Sequence, residues 1–108
     1  MALASDARFK NNIHTIANGL ESVLSLRGVT FDWNNVAFPE KGFAKGSQIG
    51  FVAQEVEKVL PGVVENGPDG YKSVAYQNIV PVLVEAIKAQ QTRIDRLEQE
   101  IRELQTRK

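Results

Sequence analysis

The sequence contains no cysteine, a single histidine and no apolar run that approaches 18 residues. Without cysteine it has neither a disulfide framework nor a thiolate zinc site, and one histidine cannot form a multi-histidine metal site. The short apolar runs exclude a predicted membrane-spanning helix. Lys and Arg together number 13, as do Asp and Glu, so the chain lacks the cationic surplus of a general nucleic-acid binder. We therefore expect no metal, no cofactor, no membrane partner and no nucleic acid.

The 108 residues, 43% hydrophobic and 24% charged, have the composition of one small globular domain. The first periodic segment predicts an N-terminal helix from about Asp6 to Leu26, because apolar side chains recur at spacings of three and four. Ser5 and Asp6 are both suitable N-caps, and Gly28 follows the last periodic residue, where a left-handed cap is expected. The apolar positions of this predicted helix are Phe9, Ile13, Ile16, Leu20, Val23 and Leu24.

The middle of the chain predicts short strands around a short helix. Runs of β-branched and aromatic residues indicate strands, and clusters of Asn, Gly, Pro and Asp indicate turns. In chain order the predicted segments are a strand at 29–33, a surface loop at 34–47, a short strand at 49–53, a short helix at 54–60 and hairpin strands at 63–65 and 71–74.

The last segment carries a heptad pattern that predicts a long helix. Pro81 fits such a helix only if the helix begins within a turn of it. The apolar side chains of this pattern form a narrow stripe that continues far beyond the predicted body. Its distal part therefore needs partner chains, and a parallel oligomer is favoured over a helix folded back on the domain. Ile at position a with Leu at position d leans towards a dimer, so the pattern alone does not establish a trimer. The stripe, which alternates between a and d and has one polar member, comprises Val80, Leu83, Ile87, Gln90, Ile94, Leu97, Ile101 and Leu104.

Ser5 and Lys10 form the one pair that suggests nucleophilic catalysis. A serine hydroxyl needs a base, and a lysine can serve only when neutral, which for a free lysine at pH 7 is a penalty of roughly 4–5 kcal/mol. Five residues on a helix place two side chains about 140° apart, so Ser5 must lie just before the helix. On spacing alone, a capping serine and a solvated lysine are the favoured explanation of the pair.

Four blocks, in order, resemble the C-terminal intramolecular chaperone domain of phage tailspikes and tail fibres, the endosialidase-type chaperone or peptidase S74 family. The first block, Ser-Asp-Ala-Arg-Phe-Lys at 5–10, is similar to the family's Ser-Asp-x-Arg-Leu-Lys opening. Together the blocks cover nearly the whole chain from Ser5, and this makes the resemblance specific. They lie at 5–10, 28–33, 49–61 and 76–91.

The resemblance implies a homotrimer that assists the folding of an upstream fibre or tailspike client and then releases itself by autoproteolysis. The family's dyad corresponds to Ser5 and Lys10, the cleaved bond to Ala4–Ser5, and Asp6 is a supporting residue. Such a protein is part of a virion precursor, is assembled in the host cytoplasm, and leaves the mature fibre after cleavage.

We accordingly predict an α+β fold, mainly α, with an N-terminal helix, a small β-hairpin region, a short helix and a long C-terminal helix that forms a parallel trimeric coiled coil. Residues 1–4 are expected to be an upstream remnant, 5–78 the chaperone and autoprotease body, and 79–108 the trimerisation helix.

Two other functions stay open at this point. The first is a trimerisation module that does not cleave, in which Ser5 is a helix cap. The second is the receptor-binding tip of a fibre, in which Trp33 and the 34–47 loop contact glycans, although Trp33, Phe31 and Tyr76 are expected to belong to the core.

Overall fold

A computed structural model describes residues 2–107, and it is an α+β structure in which helix predominates. Single 3₁₀ turns at Ala7–Phe9, Pro39–Lys41, Pro61–Val63 and Tyr76–Asn78 connect the regular elements. The helices are α1 (Gly19–Leu24), α2 (Ala53–Val59) and α3 (Val80–Thr106), and the strands are β1 (Val29–Phe31), β2 (Gln48–Gly50), β3 (Val64–Asn66) and β4 (Lys72–Val74).

The C-terminal helix α3 dominates the shape of the molecule. It begins at Val80 with Pro81 in its first turn, where a missing amide proton is harmless, and it continues for 27 residues, or about 40 Å. The Cα radius of gyration is 19.7 Å, whereas a compact chain of this length would have about 13 Å. The predicted long helix is therefore confirmed, and most of it extends away from the body.

The body has a small core between α2, the second hairpin and the start of α3. Val56, Val63 and Ile79 are buried together there, and Leu60 packs against them. Leu20 of α1, the helix that packs against α3, is buried, as are Val82 and Ala86 of α3. An alanine Cβ at Gly19 would lie 3.2 Å from backbone atoms of α3, so a glycine lets these two helices approach closely.

Two antiparallel hairpins supply the β structure. In the first, β1 pairs with β2, and Thr30 lies opposite Ile49. In the second, β3 pairs with β4, and Glu65 lies opposite Ser73. The predicted hairpin at 63–74 and the helix after residue 53 are confirmed, but β1 ends at Phe31 and β2 at Gly50, two or three residues earlier than expected.

The predicted N-terminal helix from Asp6 to Leu26 is wrong over most of its length. Only the 3₁₀ turn Ala7–Phe9 and the six residues of α1 are helical. Asn12 and Asn18 adopt left-handed backbone conformations, with φ of 56° and 59°, and each interrupts a right-handed helix. Asparagine tolerates this region better than other residues with side chains. The apolar residues at the expected spacing therefore do not share one helical face.

Within residues 2–107, no helix is both long enough and apolar enough to cross a membrane.

Candidate active site

The structure brings Ser5 and Lys10 into direct contact. Ser5 precedes the 3₁₀ turn Ala7–Phe9 and Lys10 follows it, so the turn reverses the chain between them. Lys10 Nζ donates a hydrogen bond of 2.6 Å to Ser5 Oγ. A tight turn, rather than the end of the predicted helix, thus brings together two side chains that are five residues apart in the sequence. The distance is that of a nucleophile and a base within reach of each other.

Asp6 and Arg8 fix the turn that separates the pair. Asp6 caps it by accepting a hydrogen bond of 2.9 Å from the backbone amide of Arg8. The guanidinium of Arg8 also donates to both carboxylate oxygens of Asp6, at 3.1 Å from Nε and 3.0 Å from Nη2. These bonds lower the pKa of Asp6 and raise that of Arg8. Asp6 was predicted as a supporting residue, and the structure gives it a capping position.

The opening motif predicts no role for Arg8. Its spacing is nevertheless a signal, since an arginine two residues after a capping aspartate can reach back to the same carboxylate.

The segment that carries Ser5 and Lys10 is uncovered. Every residue from Ala2 to Asn18 is exposed, including the large side chains of Phe9, 78%, and Ile13, 69%. At its far end the segment lines a shallow cavity of about 270 Å³ with the start of α3; the lining residues are His14, Thr15, Ile16, Pro81, Val84 and Glu85. The N-terminal segment therefore meets the start of the long helix but leaves the dyad open to water.

The predicted oligomerisation positions form a stripe along α3 that its own chain does not cover. Every residue from Ile87 to Arg107 is exposed. The body reaches up α3 as far as Arg93, whose Nη2 lies 3.2 Å from Glu21 Oε1 of α1. The apolar members of the stripe are between 41% and 64% exposed, namely Val80, Leu83, Ile87, Ile94, Leu97, Ile101 and Leu104.

The alternative site around Trp33 is an aromatic cluster on the body. Trp33 stacks on Phe43 with ring centroids 4.2 Å apart, and it meets Phe31 edge to face at 4.9 Å. One face of the indole is thus occupied within the chain, but Trp33 is still 40% exposed and Tyr76 48%, so the expectation that both belong to the core is wrong. Tyr76 stacks on Phe51, and it lines a cavity of about 490 Å³ together with Phe31 and Trp33. A cavity of about 290 Å³ next to Trp33 is also lined by Phe38, Lys41 and Tyr71, among others.

Comparison with known proteins identifies the class to which this fold and site belong. The family model described as chaperone of endosialidase, peptidase S74, matches residues 5–65, more than half of the chain. The match begins at Ser5, the residue that contacts Lys10. The chain belongs to this family of endosialidase-type chaperones.

The similar curated proteins are phage tail fibres. The chain is 35% identical over 103 residues to the long tail fiber proteins Gp37 of Enterobacteria phages K3 and T2. It is 33% identical over 111 residues to the protein of the same name from Salmonella phage S16. These matches cover 92% to 94% of this chain but only 8% to 14% of the fibre proteins, so the chain spans a small part of their length.

Proposed function

We propose that this chain is an intramolecular chaperone that trimerises, assists the folding of an upstream phage fibre and then releases itself by cleaving the Ala4–Ser5 bond. The observation that carries the proposal is the 2.6 Å contact between Lys10 Nζ and Ser5 Oγ at the start of the family match. The tail fibre relatives support the class of client and a place in a virion precursor.

The cleavage step is an acyl transfer within the chain. Neutral Lys10 accepts the hydroxyl proton of Ser5 while Oγ attacks the carbonyl carbon of Ala4. The C–N bond then breaks, and the proton passes to the departing Ser5 nitrogen. Water hydrolyses the resulting ester, which leaves a carboxylate on Ala4 and a free amine on Ser5. Because all three groups belong to one chain, their effective concentration is high.

The exposure of the dyad suggests a control by assembly. A lysine in water is almost always protonated at neutral pH, and a protonated amine cannot accept the serine proton. Burial disfavours the charged form of a lysine. Phe9 precedes Lys10 and is 78% exposed, and in this proposal a neighbouring copy covers both Phe9 and the dyad and removes water from them. Cleavage then follows completed assembly.

The long helix supplies the means of assembly. A stripe at heptad spacing, more than 40% exposed along its length, has the geometry of one face of a parallel coiled coil. Joining three chains at one end raises the local concentration of their upstream segments and aligns them. Non-local β structure is slow to form because alignment has an entropic cost, so this is useful help to a fibre. Removing the module afterwards makes the product kinetically trapped.

The decisive experiment places a folded reporter domain before residue 1 and follows its release by intact-mass spectrometry. We expect a break between Ala4 and Ser5 that Ser5→Ala and Lys10→Arg both abolish, since arginine keeps the charge but is not a base at neutral pH. Ser47→Ala and Lys45→Arg are matched controls at exposed positions of the 34–47 loop and its border, and they should cleave normally. An uncut reporter in an assembled chain would favour the non-cleaving trimerisation module.

A further inference from the structure

The carboxylate of Asp6 is a possible competing partner for the amine of Lys10, the proposed base. It belongs to the neighbour of Ser5 and is the acidic group nearest to Lys10 in the sequence. A carboxylate within about 4–6 Å of a lysine favours the charged ammonium. If Asp6 were released from Arg8 and turned towards Lys10, it would compete with Ser5 for the amine and favour the protonated form, which cannot act as a base.

The structure keeps that carboxylate occupied. Arg8 donates one hydrogen bond to each of its oxygens, and the Arg8 backbone amide donates a third. Such a bidentate arginine–carboxylate pair is directional as well as charged. Lys10, only two residues further on, is hydrogen-bonded to Ser5 instead.

We infer that Arg8 insulates the dyad: by holding both carboxylate oxygens of Asp6, it keeps Lys10 hydrogen-bonded to Ser5 rather than paired with Asp6. This inference rests on the proposed autoproteolysis and assigns Arg8 as a positioning residue within it.

Few other charged groups face this segment. On the segment itself the remaining titratable side chain is that of His14, and α3, which meets it there, brings Glu85 beside His14. Glu85 is paired with Lys88 at 3.7 Å. Within residues 2–107, no hydrogen bond or ion pair joins Lys10 to a charged group of another element. Asp6 and Arg8 are therefore the charges to vary.

The test measures cleavage rate against pH for the reporter fusion and four variants. Arg8→Gln frees Asp6 and should move the pH of half-maximal rate upwards by about half a unit to one unit, an exposed pair being partly screened. Asp6→Asn keeps the capping oxygen and should move it downwards. The double variant Asp6→Asn/Arg8→Gln should return close to the wild-type midpoint. Arg27→Gln is the control. It removes an arginine that binds Glu55 in the same bidentate manner, far along the chain from the dyad, and it should not change the midpoint.

Two outcomes overturn the inference. In the first, Arg8→Gln lowers the cleavage rate equally at every pH and leaves the midpoint unchanged, which means that Arg8 only shapes the turn. The other is a double variant that behaves like Arg8→Gln alone.

A second readout separates this inference from the proposed function. NMR titration of the Lys10 amine in the same variants requires no cleavage. If the chain proves inactive, a midpoint that rises in Arg8→Gln and returns in the double variant still supports insulation, and one that does not move refutes it.

Discussion

The hydroxyl of Tyr76 occupies the space that a side chain at Gly50 would need. A Cβ built on Gly50 lies 2.5 Å from Tyr76 Oη, a separation that real atoms do not show. The same hydroxyl accepts a hydrogen bond of 3.0 Å from the backbone amide of Phe51. One side chain therefore ties the 3₁₀ turn before α3 to the end of β2.

This relationship predicts that Gly50→Ala destabilises the body. The added methyl displaces Tyr76 and breaks its bond to Phe51, so we expect a loss of about 1–3 kcal/mol in the free energy of unfolding. Tyr76→Phe alone should lose about 0.5–1.5 kcal/mol. Because both changes act through one hydroxyl, the double variant should lose less than their sum.

Urea unfolding at one fixed protein concentration provides the measurement for this cycle. Gly62→Ala is the matched control, since nothing lies within 4 Å of a Cβ there, and it should be close to neutral. Strictly additive losses would show that Tyr76 is not what excludes a side chain from position 50.

If the stripe on α3 joins the chains, two charges introduced into it should separate them. Ile94→Asp with Ile101→Asp places carboxylates at two a positions, and we expect a monomer by analytical ultracentrifugation and a slower release of the reporter. Thr92→Asp with Gln99→Asp adds the same charge at positions on the opposite face and should leave the oligomer intact. Undiminished cleavage in a demonstrated monomer would contradict control by assembly.

The exposed ring of Phe9 predicts a separate effect on cleavage alone. Phe9→Ser should slow reporter release while the chain still assembles, because the neighbouring copy then covers the dyad less completely. Val36→Ser provides the control, since Val36 is also exposed but lies in the 34–47 loop. A normal rate in Phe9→Ser would place the water-excluding contact elsewhere.

Arg27 and Glu55 predict a pH-dependent contribution to stability. Hydrogen bonds from Arg27 lower the pKa of Glu55, and its charge adds to the effect. The carboxylate is the form that is bound, so the contribution is complete above the unfolded pKa of Glu55 and is lost as the pH falls through the lower folded value.

We therefore expect the stability difference between wild type and Glu55→Gln to shrink as the pH falls from 6 to 3, measured by urea unfolding. In Arg27→Gln an NMR titration should show Glu55 returning towards its ordinary pKa. A difference independent of pH would indicate that Glu55 stabilises the chain by packing.

Several features could be predicted from local pattern. The hairpin at 63–74 depends on a cluster of turn residues, and α3 depends on a heptad stripe with Pro81 in its first turn, so neighbouring residues suffice to specify each. The Ser5–Lys10 pair and its place at the opening were likewise identified from the family's motif. The predicted geometry of this pair was wrong, because a single 3₁₀ turn and not a long helix lies between Ser5 and Lys10.

The tertiary structure alone decided what becomes of residues 6–26. Their apolar spacing is helical, yet Asn12 and Asn18 are left-handed, and it is the short helix α1 that packs closely against α3. A helix is stabilised mainly by what its apolar face contacts, and here only Gly19 and Leu20 become buried. The sequence by itself determined which residues meet at the dyad and that the stripe on α3 is apolar. Folding decided that a tight turn joins Ser5 to Lys10, and that Arg8 rather than Lys10 holds Asp6, because these contacts depend on three-dimensional direction and not on spacing.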